Sequence, residues 1–397
     1  MKKVILITTT VLLLFCCKNE NTKLRHNDSL KIIDVNPKVS KEFEFNDLFS
    51  STQFIKLETN ENVLLSRINK IEVFNDRIYV LDILSPTSIL CFDIQGKYLF
   101  GIGSKGQGPG EYTFTSGFSI DPINNIIWVG DDGKKIISYD LDGNFIKEYK
   151  VNFSVKNIFP IPKSKDLFLV CFGYYEGKDY ASGIYSLSQN KILDYKNRES
   201  EFELSIVAES ITNFNEELIL GFGFNDTIYN VQSENGYQPK FVLDFGRNKM
   251  PKELLKGMGK VVYSEFSDPQ KQYAGLLSDV IETNNYLFFA YKYSGKNMKA
   301  IYLKNEDNIV NISKVLLNKK EQNLNHIFSF ADKEYVYSIL LPEKFIDEGL
   351  NNNSIKDKTS RQYGAFDSLE DIINTTNVDD NPIIVKGTVN KQSFFMD

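Results

Sequence analysis

The sequence predicts an all-β fold of the propeller class, in which four-stranded sheets stack radially around an axis. Three observations predict it: an internal repeat with a period of 47 residues, four short strand-like runs in each copy, and one unpaired strand-like run at each end of the repeats. A single sheet of this kind cannot bury both apolar faces alone, so the repeated units are expected to pack against one another.

The repeat is clearest in two consecutive copies. IEVFNDRIYVLD and SILCFDIQGKYLFGIG form the first copy, and FSIDPINNIIWVGD and KIISYDLDGNFIKEY form the second. β-Branched and aromatic residues alternate with polar ones in these runs, as in strands with two unlike faces. Asp93 and Gly96 recur 47 positions later as Asp140 and Gly143. Each D-x-x-G predicts a tight, two-residue hairpin turn, because glycine tolerates the positive φ that such a turn demands.

Later copies are degenerate but keep their strand-like runs. These runs lie at 166–172, 183–195, 217–222, 226–231, 239–246, 286–293, 299–304, 309–317 and 326–341. Residues 250–260 and 366–375 are predicted to form short helices, within insertions near 247–272 and 343–381. The repeat region holds about seven periods, but because insertions lengthen several units, six blades fit equally well.

The two unpaired runs offer a way to close the ring. QFIKLE (53–58) precedes the first full repeat, and NPIIVKGTV (381–389) follows the last partial one. Both are too apolar to be left in solvent, and an unpaired strand exposes backbone N–H and C=O groups. We therefore expect both runs to lie in one blade, where they join the two ends of the chain.

The N-terminus predicts export. Lys2 and Lys3 precede an uncharged, mostly apolar run of 12 residues from Val4 to Phe15. A membrane-spanning helix needs roughly 20 apolar residues, so the shorter run is typical of a secretory signal peptide. It ends in LLFCC, which resembles a lipobox, the motif in which cleavage occurs directly before a cysteine that is then acylated.

Two cysteines could carry the lipid. Acylation of Cys17 places Leu14 at −3 and the fairly small Cys16 at −1, whereas acylation of Cys16 would place the bulky Phe15 at −1. Cys17 is therefore favoured, with Cys16 as the alternative. Each acyl CH₂ contributes about 0.8 kcal/mol of membrane affinity, so several chains would anchor the protein without a helix.

These features predict three parts of the chain. Residues 1–16 are a lipoprotein signal peptide, residues 17–48 a flexible tether, and residues 49–397 a single propeller domain. The tether begins with a polar stretch that cannot bury enough apolar surface to offset its ordering entropy. We expect a lipid-anchored protein of the cell envelope, in the outer membrane, on either its periplasmic or its outer side.

Composition disfavours several classes of function. The net charge is −6 and no basic block occurs, which disfavours a nucleic-acid partner. Cys91 and Cys171 lie in apolar, strand-like runs and are expected to be two separate buried thiols. His26 lies in the tether, so His326 is the only imidazole of the predicted propeller, where it is expected to be a core or edge residue. Zinc enzymes and serine hydrolases with a G-x-S-x-G motif are therefore disfavoured.

The chain resembles a family of six-bladed β-propeller lipoproteins that are distant relatives of the NHL-repeat propellers. Five stretches carry the resemblance: FIKLET (54–59), IYVLD (78–82), the turn FDIQGK (92–97), GIGSKGQGPGEY (101–112) and DNPIIV (380–385). The resemblance covers nearly all of the chain past residue 50. It implies six blades, an acylated N-terminus and residence in the cell envelope, and it transfers no catalytic residues.

A polar rim is the first candidate site. Loops after the second and fourth strands of propeller blades open on one face, so several side chains are expected to meet there. They are Asp82, Asp131 and Asp132, which follow second strands, and Lys105, Gln107, Glu111 and Tyr112, which follow a fourth strand. A polar ligand, with a Ca²⁺ held by Asp and backbone oxygens, would suit this rim. The alternative is that the glycines allow a sharp crossing between blades and the carboxylates cap turns.

A second candidate site is the loop GYYEG (173–177), where Tyr174 and Tyr175 could stack on a sugar ring or a peptide side chain. The leading functional hypothesis is a non-catalytic binding or scaffold lipoprotein for a protein, peptide or glycan partner, without a required cofactor. The alternative is a Ca²⁺-dependent, lactonase-like hydrolase or lyase with carboxylates on the propeller axis. A third hypothesis is a purely structural subunit of a larger assembly.

Overall fold

The computed structural model describes most of the chain from residue 30 to residue 395. The stretches within that range that lie outside the description are residues 62, 86–87, 173–179, 198–209, 233–235, 256–267, 318, 322–325, 345 and 347–362. The described residues are mostly β, with 56% in strands and 8% in helices. It forms a six-bladed propeller, as predicted, rather than the seven-bladed alternative.

Blades 1 to 3 are antiparallel four-stranded sheets whose strands follow chain order from the axis outwards. Blade 1 contains β4 (Lys70–Phe74), β5 (Arg77–Leu81), β6 (Ile89–Asp93) and β7 (Tyr98–Ile102). Blade 2 contains β10 (Phe118–Asp121), β11 (Ile126–Asp131), β12 (Lys135–Asp140) and β13 (Phe145–Lys150). Blade 3 contains β14 (Val155–Pro160), β15 (Leu167–Phe172), β16 (Tyr180–Ser186) and β17 (Lys191–Asn197).

Blades 4 and 5 each carry an additional outer strand from the N-terminal segment. Blade 4 contains β18 (Ser210–Phe214), β19 (Glu217–Gly221), β20 (Thr227–Gln232) and β21 (Gly236–Asp244), with β1 (Lys31–Asp34) outside. Blade 5 contains β22 (Ala274–Glu282), β23 (Tyr286–Tyr293), β24 (Lys296–Leu303) and β25 (Asn308–Leu317), with β2 (Lys41–Glu44) outside and β26 (Lys320–Glu321) paired to β25.

Blade 6 closes the ring. It contains β27 (Phe330–Ala331), β28 (Val336–Leu340), β30 (Ile383–Val389) and β3 (Phe49–Lys56), with β29 (Gly364–Phe366) at its outer edge. The short elements outside the blades are β8 (Ser104–Lys105), β9 (Glu111–Tyr112), α1 (Lys252–Leu255), α2 (Leu369–Thr375) and 3₁₀ turns at Phe45–Leu48, Gly246–Asn248, Pro342–Lys344 and Lys391–Phe395. The helix predicted at 366–375 is thus present as α2, and of the helix predicted at 250–260 the described part is α1.

The predicted closure of the ring is confirmed. The N-terminal β3 pairs antiparallel with the C-terminal β30, with Phe54 opposite Val385 and Lys56 opposite Ile383. The backbone N–H and C=O groups of both strands are therefore paired within one sheet, and their apolar side chains are kept out of solvent.

The blades bury their faces against one another. Each of the six interfaces holds one apolar cluster. Between blades 1 and 2, for example, Tyr79 and Cys91 pack with Phe118 and Ile127. Cys91 and Cys171 are two thiols that are fully buried in different clusters and form no disulfide, as predicted. The core is thus divided among interfaces around the ring.

The D-x-x-G turns need glycine for two reasons. Gly96 has a φ of +87° and Gly143 a φ of +81°, as the sequence predicted. A Cβ at Gly96 would also lie 2.2 Å from the carbonyl oxygen of Lys56 in the preceding blade. The Asp93 N–H donates to the Lys97 carbonyl, so three residues separate the paired positions rather than the predicted two. The extra residue is the left-handed glycine of a bulged hairpin.

Part of the predicted tether is ordered. Residues 31–48 lie inside the segment expected to be flexible, but β1 pairs parallel with β21 and β2 pairs parallel with β25. Ile33 and Phe43 are buried by these contacts. The prediction failed here because the polar stretch ends near residue 31, and the apolar residues that follow it can add a strand to an existing sheet edge, where the partner backbone supplies the hydrogen bonds.

Candidate functional site

The loops after the second and fourth strands of each blade lie at one end of the propeller, which we call the loop face. Asp82, directly after β5, is fully buried there. Its Oδ2 accepts the backbone N–H groups of Ser66 (2.6 Å) and Arg67 (3.3 Å), and its Oδ1 accepts the N–H of Leu84 (2.9 Å). One carboxylate thus joins the loop that enters blade 1 to the loop between β5 and β6.

Asp131, the last residue of β11, has the same role in blade 2. It is fully buried, and its Oδ1 accepts the backbone N–H groups of Thr113 and Phe114, both at 3.0 Å. Its Oδ2 is buried without a hydrogen-bond partner among the described residues. Hydrogen bonds to a carboxylate are roughly twice as strong as neutral ones. Both aspartates therefore fix loop backbone.

Tyr112 holds the glycine-rich loop from inside. It is fully buried, and its hydroxyl donates to the carbonyl oxygen of Ile102 (3.2 Å) and accepts the N–H of Ser88 (3.0 Å). Burial raises the pKa of Tyr112, and the hydrogen bonds from Ser88 oppose that rise. The phenol stays neutral and ties β7 to the loop between β5 and β6.

The rest of the glycine-rich loop is also tied down. The Tyr139 hydroxyl donates to the carbonyl oxygen of Gly110 (2.9 Å), and the Glu111 carboxylate accepts the N–H of Gly108 (2.8 Å). Gly110 has a φ of +71°, and a Cβ there would lie 2.8 Å from the Phe145 ring. The glycine is needed for both the backbone conformation and the close approach.

Of the seven loop residues predicted on blades 1 and 2, three are buried, three are exposed and Glu111 is half-buried. Burial removes Asp82, Tyr112 and Asp131 from direct ligand contact, which corrects that part of the predicted rim. Lys105, Gln107 and Asp132 are exposed on the loop face. Asp132 accepts the Ser154 hydroxyl at 2.5 Å, and the Lys105 Nζ lies 3.5 Å from the carbonyl oxygen of Ile83. Tyr174 and Tyr175, the second predicted site, lie outside the described residues.

The loops that the buried aspartates hold in place carry exposed apolar side chains. Leu64, Leu84 and Phe114 are 58%, 62% and 38% exposed, and we call these three residues the apolar rim. Asp82 binds the N–H of Leu84, and Asp131 binds the N–H of Phe114. Leu64 precedes Leu65, whose N–H donates to the buried side chain of Asn381 (2.8 Å). Each exposed side chain thus projects from backbone that is fixed from below.

A family model for a domain of unknown function, DUF4934, matches residues 30–388. The chain belongs to the DUF4934 family. This match spans every blade of the ring, which agrees with a fold that closes only when both ends are present. The kinship with NHL-repeat lipoproteins, which the sequence motifs suggest, remains a prediction.

One solved structure supports the fold of this DUF4934 protein, and a second is reported beside it as a weaker likeness. A crystal structure is known for a Bacteroides fragilis NCTC 9343 protein whose name describes it as exported. That protein is 22% identical to this chain, and its structure matches with a TM-score of 0.70. The alignment covers 91% of this chain and 100% of that chain. A DUF4221 family member from Bacteroides vulgatus ATCC 8482 is 11% identical with a TM-score of 0.49, over 85% of this chain and 96% of that one. No curated protein matches the sequence.

A second polar cluster of this DUF4934 protein lies on blade 5. β22 carries two bulges, and Leu276 and Asp279 have φ values of +57° and +50° there. The Asp279 Oδ2 lies 2.6 Å from the Nζ of Lys299, whose side chain is only 2% exposed. Bulges of this kind redirect side chains. Here the irregular backbone coincides with an ion pair to a buried ammonium group.

His326 belongs to this second cluster. Burial lowers the pKa of His326; Asp279 opposes the shift, and the positive charges of Lys299 and Arg67 add to it. The imidazole is therefore neutral at pH 7. Its backbone carbonyl accepts the Ser329 hydroxyl at 2.9 Å. His326 is half-buried beside a fully buried isoleucine, which fits the predicted edge position.

Within the described ranges, no group of three or more His, Cys, Asp or Glu side chains is placed to hold a metal ion. The calcium site therefore stays a prediction. None of the helices that the structure describes is both long and apolar enough to cross a membrane.

Sequence reasoning missed the apolar rim because it sought polar and aromatic ligand groups. A signal is nevertheless visible: Leu64, Leu84 and Phe114 are apolar residues within loop sequences, close in the chain to residues that hydrogen-bond loop backbone. It also missed Asp279 and Lys299, since only the fold of blade 5 brings them together. The lack of alternation in AGLLSDVIE (274–282) is the one sign of the irregular strand.

Proposed function

We propose that this DUF4934 protein is a lipoprotein of the cell envelope whose propeller binds a polypeptide partner, without catalysis, through the apolar rim of blades 1 and 2. The observation that carries the proposal is the display of Leu64, Leu84 and Phe114 on loops fixed by buried polar side chains. Leu64, Leu84 and Phe114 all belong to loops of the loop face, and apolar groups exposed on one face of a protein are typical of interaction sites.

Rigid display favours binding. Association costs about 0.5–1.5 kcal/mol for each flexible side chain that is immobilised at the interface, and the ordering of loops adds to this cost. The hydrogen bonds of Asp82 and Asp131 order the loop backbone before a partner arrives, so this cost is reduced. Two of the three rim residues are aliphatic, which favours a polypeptide over a glycan. The exposed Lys105, Gln107 and Asp132 would supply polar contacts around the rim.

The proposed location rests on the N-terminus and on one relative. The short apolar run before Cys16 and Cys17 supports export and acylation at Cys17, or at Cys16, and hence an outer-membrane anchor. The similar B. fragilis protein is named as exported. Mass spectrometry of the envelope-extracted protein tests this part: the expected N-terminal residue is an acylated Cys17.

Site-specific photo-crosslinking tests the binding proposal. A photoreactive phenylalanine analogue replaces Leu84 or Phe114 in the full chain, and the cells are irradiated. Both positions are expected to yield one common crosslinked partner. Ile123 is the matched control, because it is 66% exposed but lies in the turn between β10 and β11, at the opposite end of the propeller.

A second variant keeps the test independent of the crosslinker. The Leu84→Ser/Phe114→Ser protein is expected to lose the captured partner, whereas Ile123→Ser retains it. All three side chains are exposed, so folding should change by less than about 0.5 kcal/mol. Equal crosslinking from position 123, or partner capture unaffected by the double substitution, would show that the rim is not the binding surface.

A further inference from the structure

The N-terminal segment forms a strap along the outer edges of blades 4 and 5 and then enters blade 6. β1 adds to blade 4, β2 to blade 5 and β3 to blade 6. Ile33 and Val35 are buried in the cluster between blades 4 and 5, and Phe43 is buried in the cluster between blades 5 and 6. The strap is thus fixed to the propeller from its first described strand onwards.

The wall that carries the strap exposes large apolar side chains. Ile32 is 61% exposed on β1, where alternation directs Ile33 inwards, and Leu30 before it is 48% exposed. Val39 is 66% exposed in the link between β1 and β2, and Phe395 is 52% exposed at the C-terminal turn. We call Leu30, Ile32, Val39 and Phe395 the strap face.

Phe395 belongs to the same wall as the strap. The ring of the preceding Phe394 packs edge-on against Phe43 of β2, with 5.8 Å between ring centroids. The Nζ of Lys41 also donates to the carbonyl oxygen of Phe394 at 3.3 Å. The strap face therefore extends along the outer edges of blades 4 and 5.

The length of chain before the strap limits which wall can meet a membrane. Between Cys17 and Leu30 the chain advances 13 residues, which span at most about 45 Å when fully extended. A compact domain of this length has a radius of gyration of about 21 Å and is roughly 50 Å wide. The side of the propeller opposite the strap could touch the lipid surface only if the chain between Cys17 and Leu30 were almost fully extended.

We infer that the strap face lies against the lipid surface, with its apolar side chains in the headgroup region. This inference rests on the proposed lipid anchor. In a ring of six, blade 1 is opposite blade 4 and blade 2 is opposite blade 5. Docking through blades 4 and 5 therefore holds the apolar rim on the half of the ring that faces away from the membrane, where a polypeptide partner can reach it.

Depth-dependent fluorescence quenching tests the inference. The mature chain from residue 18 carries a polyhistidine tag in place of Cys17 and is bound to phosphatidylethanolamine–phosphatidylglycerol vesicles that contain a nickel-chelating lipid. A fluorophore is attached to a cysteine introduced at position 32, 39 or 395, or at the control positions 84 and 146. Cys91 and Cys171 are fully buried, so the introduced thiol is the one that reacts.

Brominated lipids are expected to quench the label severalfold more strongly at positions 32, 39 and 395 than at 84 and 146. Ile146 is a demanding control, because it is 50% exposed on the outer strand of blade 2, opposite blade 5. Equal quenching at all positions, or stronger quenching at 146, would overturn the inference. The tag replaces the acyl group, so this result does not depend on acylation, which mass spectrometry of the envelope-extracted protein tests separately.

Discussion

At the scale of single residues, Asp82 and Asp131 show how buried charge can serve an exposed surface. Asp82 accepts three backbone N–H groups and Asp131 accepts two. A buried carboxylate without such donors would be strongly destabilising, so the loops must adopt the conformation that supplies them. The exposed side chains of Leu84 and Phe114 are therefore attached to backbone that these hydrogen bonds fix.

His326 gives a prediction about pH. Its pKa is lowered in the folded state, mainly by burial, so between about pH 6.5 and that lower value the unfolded chain binds more protons than the folded one. The contribution of a neutral His326 to stability is therefore complete above pH 6.5 and is lost as the pH falls. Urea unfolding of the wild type and of His326→Asn at pH 7.5 and pH 5 measures it.

The difference in free energy of unfolding between the two proteins is expected to shrink at pH 5. Both proteins have the same carboxylates, so the titration of these groups cancels in the difference. His26, the other histidine, lies before the strap and is present in both. A difference that is constant with pH, or that grows as the pH falls, would contradict the lowered pKa.

At the scale of strands, the sequence predicts the outer parts of blades better than the inner ones. The runs at 71–103 and 118–149 became complete blades, because their strands are regular and their turns carry D-x-x-G. The inner strands β14, β18 and β22 gave no clear pattern. They are short or bulged, and VKNIFP and SITNF mix polar and apolar residues without a regular alternation.

The strap could not be predicted for a different reason. β1 and β2 have four residues each, and their partners β21 and β25 lie more than 200 positions later in the chain. Parallel pairing over such a separation leaves no local turn signal. The polar rim was predicted only in part, since a sequence shows that an aspartate follows a strand but not whether it points to solvent or to backbone N–H groups.

Neighbouring isoleucines on β1 give a matched test of the strap. Ile33 is 2% exposed in the cluster between blades 4 and 5, whereas Ile32 is 61% exposed. Ile33→Ala is expected to cost about 2–4 kcal/mol of strap stability, because it leaves a cavity in a packed interface. Ile32→Ala should change stability by less than about 0.5 kcal/mol. Hydrogen exchange of the β1 and β21 amides measures both effects.

Faster exchange in β1 and β21 after Ile33→Ala alone would show that the strap is held by its inward side chains. Similar exchange in both variants would instead mean that backbone pairing, rather than the buried side chains, holds the strap.

At the scale of the whole molecule, the ring depends on one blade made from both ends of the chain. Beside the β3–β30 pairing, the Nζ of Lys56 lies 2.9 Å from the Oδ2 of Asp380 and also donates to the carbonyl oxygen of Thr375. Both charged side chains are almost completely buried. Because Lys56 belongs to the N-terminal strand and Asp380 to the approach to β30, this ion pair fastens the first and last parts of the sequence to each other.

Removal of one partner should therefore destabilise the closed ring. Lys56→Met leaves Asp380 charged and buried, with the Asn377 N–H as its one remaining hydrogen-bond donor among the described residues, and is expected to cost about 3–5 kcal/mol of global stability. Lys56→Met/Asp380→Leu removes both charges and should cost less than the single substitution, although the Asn377 N–H then loses its acceptor. Urea unfolding of the wild type and of both variants at pH 7 measures this difference in stability. Lys31→Met, which breaks the exposed pair with Asp307, is the control and should leave the midpoint unchanged.

If the double variant were less stable than the single one, the pair would not be acting as a unit, and ring closure would depend on the apolar contacts of β3 and β30 alone.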